Sequence, residues 1–157
     1  IAVSFDPNIR LRLWTIEQAR EAFGQVFPYV DILLTGLDEM ELIQGDVSTY
    51  ALETFAKQYD IEQLVIKDGA NGAKLWTDGK WYEKEAFKIQ PVDTVGAGDA
   101  FDAGYIYSVL HNYSPMESLT FANAMGAMVT TVKGDNEGLP ELQEVLDFIN
   151  NKKAIER

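Results

Sequence analysis

Cysteine is absent from the 157 residues, which removes disulfides and thiolate metal sites from consideration. Histidine is almost as scarce, and with His111 alone a zinc centre has too few nitrogen ligands. No apolar run reaches the roughly 20 residues of a membrane helix, and the first residues lack a basic stretch followed by an apolar one. A cytoplasmic location is therefore the expectation, with no membrane partner. Cations are outnumbered, 13 Lys and Arg against 25 Asp and Glu for a net charge of -12, so a nucleic-acid backbone is a poor partner. Acidity does not exclude phosphate ligands, because backbone amides, a few local cations and a divalent ion can hold a nucleotide. Repeats and low-complexity linkers are also missing.

What is present reads as one alternating α/β chain, long enough for one core. Short apolar strands are expected at 2–5, 31–34, 64–66 and 87–89. Helices are expected from Thr15 to Phe27, from Ser48 to Tyr59, from Asp99 through Leu110, from Ser114 past Val129 and from Glu141 to Asn150. Thr15 with Gln18, and Ser114 with Pro115 and Glu117, have the spacing of capped helix starts. Asp78-Gly79 between Trp76 and Trp81 is a hairpin signal, since that pair tolerates the positive φ angles of a primed turn. Strands joined through helices argue for a mainly parallel sheet.

The chemistry concentrates in Asp93-Thr94-Val95-Gly96-Ala97-Gly98-Asp99-Ala100-Phe101, a glycine turn opening into an apolar helix. With Gly96, Ala97 and Gly98 small, the amides at the helix start are unshielded and lie at the positive end of the macrodipole, a natural cradle for an anion such as phosphate. Asp99 beside that cradle suits a base that takes a proton from a hydroxyl attacking the phosphate. Read by itself, the stretch is equally a tight turn with Asp99 as a helix cap.

The full string resembles the C-terminal signature of the ribokinase-like (PfkB) sugar kinases. That resemblance implies a ribokinase-like fold with helices on both faces of the sheet, ATP and magnesium as phosphoryl donor and cofactor, Asp99 as catalytic base and Gly96 to Gly98 as anion hole. It further implies that Asp93, with Thr94, organises a cation near the hole, magnesium or a monovalent ion. The run from Phe5 to Trp14 is similar to the corresponding stretch of 2-keto-3-deoxygluconate kinases, which assigns Arg10 to the sugar-acid carboxylate through a bidentate fork and Asn8 to the phosphates or their metal. Lys67-Asp68-Gly69-Ala70-Asn71-Gly72-Ala73 resembles the nucleotide loop, giving Lys67, Gly69, Ala70, Gly72 and Ala73 as ATP contacts. Asn123 would border the adenine, against a reading as a polar residue satisfied between packed helices. Glu41, in an Asp-x-x-Glu where relatives carry Asn-x-x-Glu, would organise magnesium through water. Asp135 would meet the acceptor.

On this reading residues 1–157 are the C-terminal nucleotide-binding and catalytic portion of such a kinase, without the sugar-binding lid. Self-association through an exposed sheet edge is expected. The rivals are a fructokinase, a nucleoside or vitamin kinase on the same scaffold, or a nucleotide-binding fragment without turnover.

Overall fold

The computed structural model describes residues 1–134 and 138–155, without the side chains of 152–155. The chain divides into two units, residues 1–68 with 74–81, and residues 69–73 with 82–157. It passes from one to the other after Asp68, Ala73 and Trp81. No described helix is long and apolar enough to cross a membrane.

The first unit carries a sheet in the order β1 (Ser4–Phe5), β2 (Ile32–Gly36), β3 (Gln63–Lys67), β4 (Ala73–Thr77) and β5 (Lys80–Lys84), the last running on into the second unit. Strands β1, β2 and β3 are parallel, with Phe5 opposite Leu33 and Gly36 opposite Lys67, so their carboxyl ends open on the same side. Leu64, Val65 and Ile66 are buried, as expected of a β-branched run in a parallel sheet. The β4–β5 turn has φ of 50° at Asp78 and 71° at Gly79, the primed geometry that the Asp-Gly pair favours.

Helices α1 (Ile16–Val26), α2 (Leu37–Gln44) and α3 (Thr49–Gln58) complete this unit. The Thr15–Gln18 capping box forms with both reciprocal hydrogen bonds, and Ala19 and Phe23 turn inward from α1. Phe23 meets Phe27 with ring centroids 6.0 Å apart, and Phe27 meets Phe55 edge-on at 5.1 Å. Such aromatic pairs add about 0.5–1.5 kcal/mol beyond burial. Helix α2 is not among the helices expected from the sequence.

The second unit is built on α4 (Ala97–Leu110) and α5 (Pro115–Val129), followed by α6 (Leu142–Ile155). Gly104 explains how closely α4 and α5 approach: a Cβ there would lie 2.8 Å from Met125 Cγ and 3.2 Å from Ala122 Cα. Ser114 and Glu117 form the expected capping box at the start of α5. Phe121, Ala124, Val145 and Ile149 form the core between α5 and α6, and Phe87 packs on Phe148 with centroids 5.0 Å apart.

The expected strand at 87–89 does not form; these residues have no regular structure. The backbone just before them is engaged elsewhere, because the carbonyls of Lys84 and Glu85 accept the side-chain amide of Asn123.

Candidate active site

The signature turn lies wholly in the second unit. Val92 and Asp93 both donate their backbone N–H to the Thr130 carbonyl, at 2.7 and 3.2 Å, which holds the approach to the turn against the end of α5. The Asp93 carboxylate then accepts from Val95 N at 3.1 Å and from Gly134 N at 3.4 Å. Both oxygens are thus used in shaping the turn.

Gly96 has φ of 78° and stands at the N-cap of α4, a conformation that an L side chain would strain. No side chain caps this helix. Ala97, Gly98 and Asp99 are its first residues, so Asp99 lies in the first turn and is not the cap. The carboxylate of Asp99 is exposed. Gly126 of α5 lets the two helices converge here, since a Cβ would meet the Ala97 carbonyl at 3.2 Å. About two turns further along α4, Tyr105 is buried, and burial pushes its phenol well above the ordinary range. It stays neutral and serves packing.

The loop expected to face the nucleotide includes a short 3-10 turn at Gly69–Asn71, closed by Gly72 N donating to the Gly69 carbonyl at 3.2 Å. Gly72 has φ of 109°, and a Cβ on it would lie 2.7 Å from Ala86 N, 2.8 Å from the Glu85 carbonyl carbon and nearer still to the Lys84 carbonyl oxygen. Asn123 Nδ2 donates to the Lys84 and Glu85 carbonyls at 3.0 and 3.3 Å. Residues 84–86 are therefore gripped by Gly72 and by the Asn123 amide. Asn123 is buried, with its Nδ2 committed to these two backbone carbonyls.

A second group of expected residues meets at the carboxyl ends of β1, β2 and β3, all within the first unit. Ligand sites of open α/β sheets form at these ends. Asp6 follows β1, and its Oδ1 accepts from Asn8 N at 3.0 Å. Asn8 has a positive φ of 41°, a conformation asparagine tolerates. Ile9 N donates to Glu39 Oε1 at 2.7 Å, and Arg10, exposed, follows. Lys67, ending β3, places Nζ 3.0 Å from Asp6 Oδ2.

Two more of the expected residues have a defined setting here. Lys67, expected among the nucleotide contacts, pairs with Asp6 at the end of β3. Glu41 lies exposed on α2, whereas Glu39 of the same segment faces the loop: its carboxylate accepts from Ile9 N, from Gly36 N at 2.9 Å and from the Thr35 hydroxyl at 3.3 Å. The helix begins at Leu37, which puts Glu39 at its third position, where a glutamate reaches back to the residue before the helix. That spacing from Gly36 was the signal available in the sequence. Asp135 lies outside the described residues.

Among the described residues, no group of three or more His, Cys, Asp or Glu side chains could hold a metal ion. A cleft of about 740 Å³ lies near the opposite end of β3, lined by Lys57, Gln63, Trp76 and Asp78 among others, and contains none of the expected site residues.

Comparisons with known proteins bear on the family and the fold. The 2-dehydro-3-deoxygluconokinase of Thermoproteus tenax is 34% identical over 148 residues, 93% of this chain and 46% of the relative. Fructokinase-2 of Zea mays is 32% identical over 158 residues, 95% of this chain and 47% of the relative. Among solved structures, the fructokinase of Vibrio cholerae O395 in its fructose, ADP and calcium-ion bound form superposes with a TM-score of 0.84 at 26% identity, covering 94% of this chain and 50% of that one. The chain spans about half the length of the curated relatives it matches. Residues 1–142 match "pfkB family carbohydrate kinase", and with relatives of this identity and coverage the chain belongs to that family, whose fold is the ribokinase-like α/β fold.

Proposed function

We propose that this chain is the catalytic and nucleotide-binding part of a kinase that transfers the γ-phosphoryl group of ATP to a hydroxyl of a sugar acid, 2-keto-3-deoxygluconate. The observation that carries the reading is Asp99, an exposed carboxylate in the first turn of a helix that no side chain caps and that starts from Gly96 at positive φ.

Asp99 accepts the proton of the attacking hydroxyl, which raises its nucleophilicity as phosphoryl transfer begins. The turn from Gly96 to Gly98 offsets the negative charge of the transferring group through the amides of Gly96 and Gly98, while Ala97 N donates to the Thr94 carbonyl at 3.3 Å and Asp93 and Thr130 hold the turn in advance. Arg10 supplies the planar fork that a carboxylate accepts, and the 2-dehydro-3-deoxygluconokinase at 34% identity supports that choice of acceptor.

Magnesium, when bound, supplies charge neutralisation at the phosphate oxygens. It usually keeps several waters and takes only one or two protein carboxylates. Asp93 would take such a role through water, its carboxylate fixed beside the glycine turn by Val95 N and Gly134 N. Glu41 is exposed and open to the same solvent-mediated role. A need for ATP fits the cytoplasmic location expected of the sequence.

A fructokinase is the second reading, favoured by the maize relative at 32% identity. An acceptor panel on the protein at its natural length separates the two. Marked preference for the sugar acid over fructose, with Arg10→Lys raising KM for the acid far more than KM for ATP, is the expected result. Equal activity on both acceptors refutes the sugar-acid assignment.

A further inference from the structure

We infer that Lys67 is a positioning residue for the acceptor, which with Asp6 sets the loop that presents Arg10, and is not a ligand of the nucleotide phosphates. This rests on the reading of Arg10 as the carboxylate-binding residue. Lys67 and Asp6 stand at the ends of β3 and β1, 61 residues apart in sequence and separated in the sheet by β2. Their ion pair ties those strand ends together. The side chains are only 16% and 23% exposed, so the charges are poorly screened and the pair has a definite geometry at 3.0 Å.

The carboxylate of Asp6 does more than neutralise the lysine. One oxygen takes Nζ, while the other accepts from Asn8 N at 3.0 Å. Rotation of the carboxylate therefore moves the point at which Asn8 turns to positive φ. The next residue is fixed independently, with Ile9 N on Glu39 Oε1 at 2.7 Å. Just beyond Arg10 the chain closes a turn, Leu13 N donating to the Arg10 carbonyl at 2.8 Å. The backbone of Arg10 is thus held from both sides while its guanidinium is exposed. An ammonium already neutralised by a carboxylate also presents little net charge to a polyphosphate.

Bidentate recognition is sensitive to where the guanidinium plane sits, so loosening the loop should weaken the acceptor and spare ATP. The test compares Lys67→Met, Lys67→Arg, Asp6→Asn, the Lys67→Met/Asp6→Asn double variant and Arg10→Ala in the protein at its natural length. Lys67→Met should raise KM for 2-keto-3-deoxygluconate about tenfold, within the range of measured couplings between contacting residues, and change KM for ATP by less than about twofold. Asp6→Asn should do the same, the double variant no more than either, and Lys67→Arg should recover most of the loss. A rise in KM for ATP with that for the acid unchanged, or equal rises in both, overturns the inference, as does additivity in the double variant. If Arg10→Ala leaves KM for the acid unchanged, the sugar-acid reading has failed and the inference goes with it. If Arg10→Ala raises it but Lys67→Met does not, the inference alone has failed. Should Lys67→Met not fold, Asp6→Asn, whose amide oxygen can still accept from Asn8, reads the same KM split.

Discussion

Gly72→Ala is the substitution whose cost the structure defines most directly. At φ of 109° any L residue is strained, by an amount on the order of 1–3 kcal/mol. The added Cβ would also fall 2.7 Å from Ala86 N and 2.8 Å from the Glu85 carbonyl carbon, both backbone atoms that cannot swing aside. Residues 84–86 would have to move, and their carbonyls would then leave the Asn123 amide, losing two hydrogen bonds of about 0.5–1.5 kcal/mol each. The expected loss of stability is about 3–5 kcal/mol, among the larger effects of single substitutions. Gly79→Ala is the matched control: its φ is 71°, but nothing lies within 4 Å of the added methyl, so it should cost only about 1–2 kcal/mol. Urea unfolding of both variants, compared at equal m-values, separates the clash from the backbone term. Costs equal to within about 0.5 kcal/mol would show that the close approach at 84–86 carries no energy, and would refute the account of Gly72 and Asn123 as a grip on that segment.

Two further outcomes concern the chemistry. Asp99→Asn in the protein at its natural length should lower turnover by a factor on the order of a hundred or more while ATP affinity stays nearly constant; unchanged turnover at saturating acceptor would remove Asp99 as the base. The 157-residue chain by itself should bind ATP-magnesium weakly by calorimetric titration and release no ADP in response to sugar, because in-line attack needs the acceptor held and water excluded. Robust sugar-dependent turnover by this chain as a monomer would refute that division of labour.

Much of the fold was legible because its signals are local. Thr15 with Gln18, Ser114 with Glu117, and Asp78-Gly79 each specify a boundary within a few residues, and each forms as read. The nine-residue signature was legible for the same reason. The hydrogen bonds of Glu39 were not legible because they depend on where α2 begins, and a run of acidic residues does not display that register until the strand end at Gly36 is known. The pairing of Lys67 with Asp6 was not legible because the partner is remote in sequence, and a lysine before a glycine turn looks the same whether or not a carboxylate faces it. Residues 87–89 have a strand-like apolar pattern, but Phe87 spends its ring on Phe148 and the preceding carbonyls go to Asn123. Hydrophobic alternation alone could not anticipate either.

The repeated crossing of the chain between the two units, after Asp68, Ala73 and Trp81, constrains how this protein can be recombined. Neither unit is a continuous stretch, so no single junction grafts the signature-bearing unit of one relative onto the strand-rich unit of another intact. A chimera joined after Trp81 would carry Gly72 from one parent and the backbone of 84–86 that it abuts from the other. Exchange of the signature-bearing unit therefore requires the short insert 69–73 to travel with residues 82–157, and shuffled libraries with one crossover should be poorest in folded members when that crossover falls between Ala73 and Tyr82.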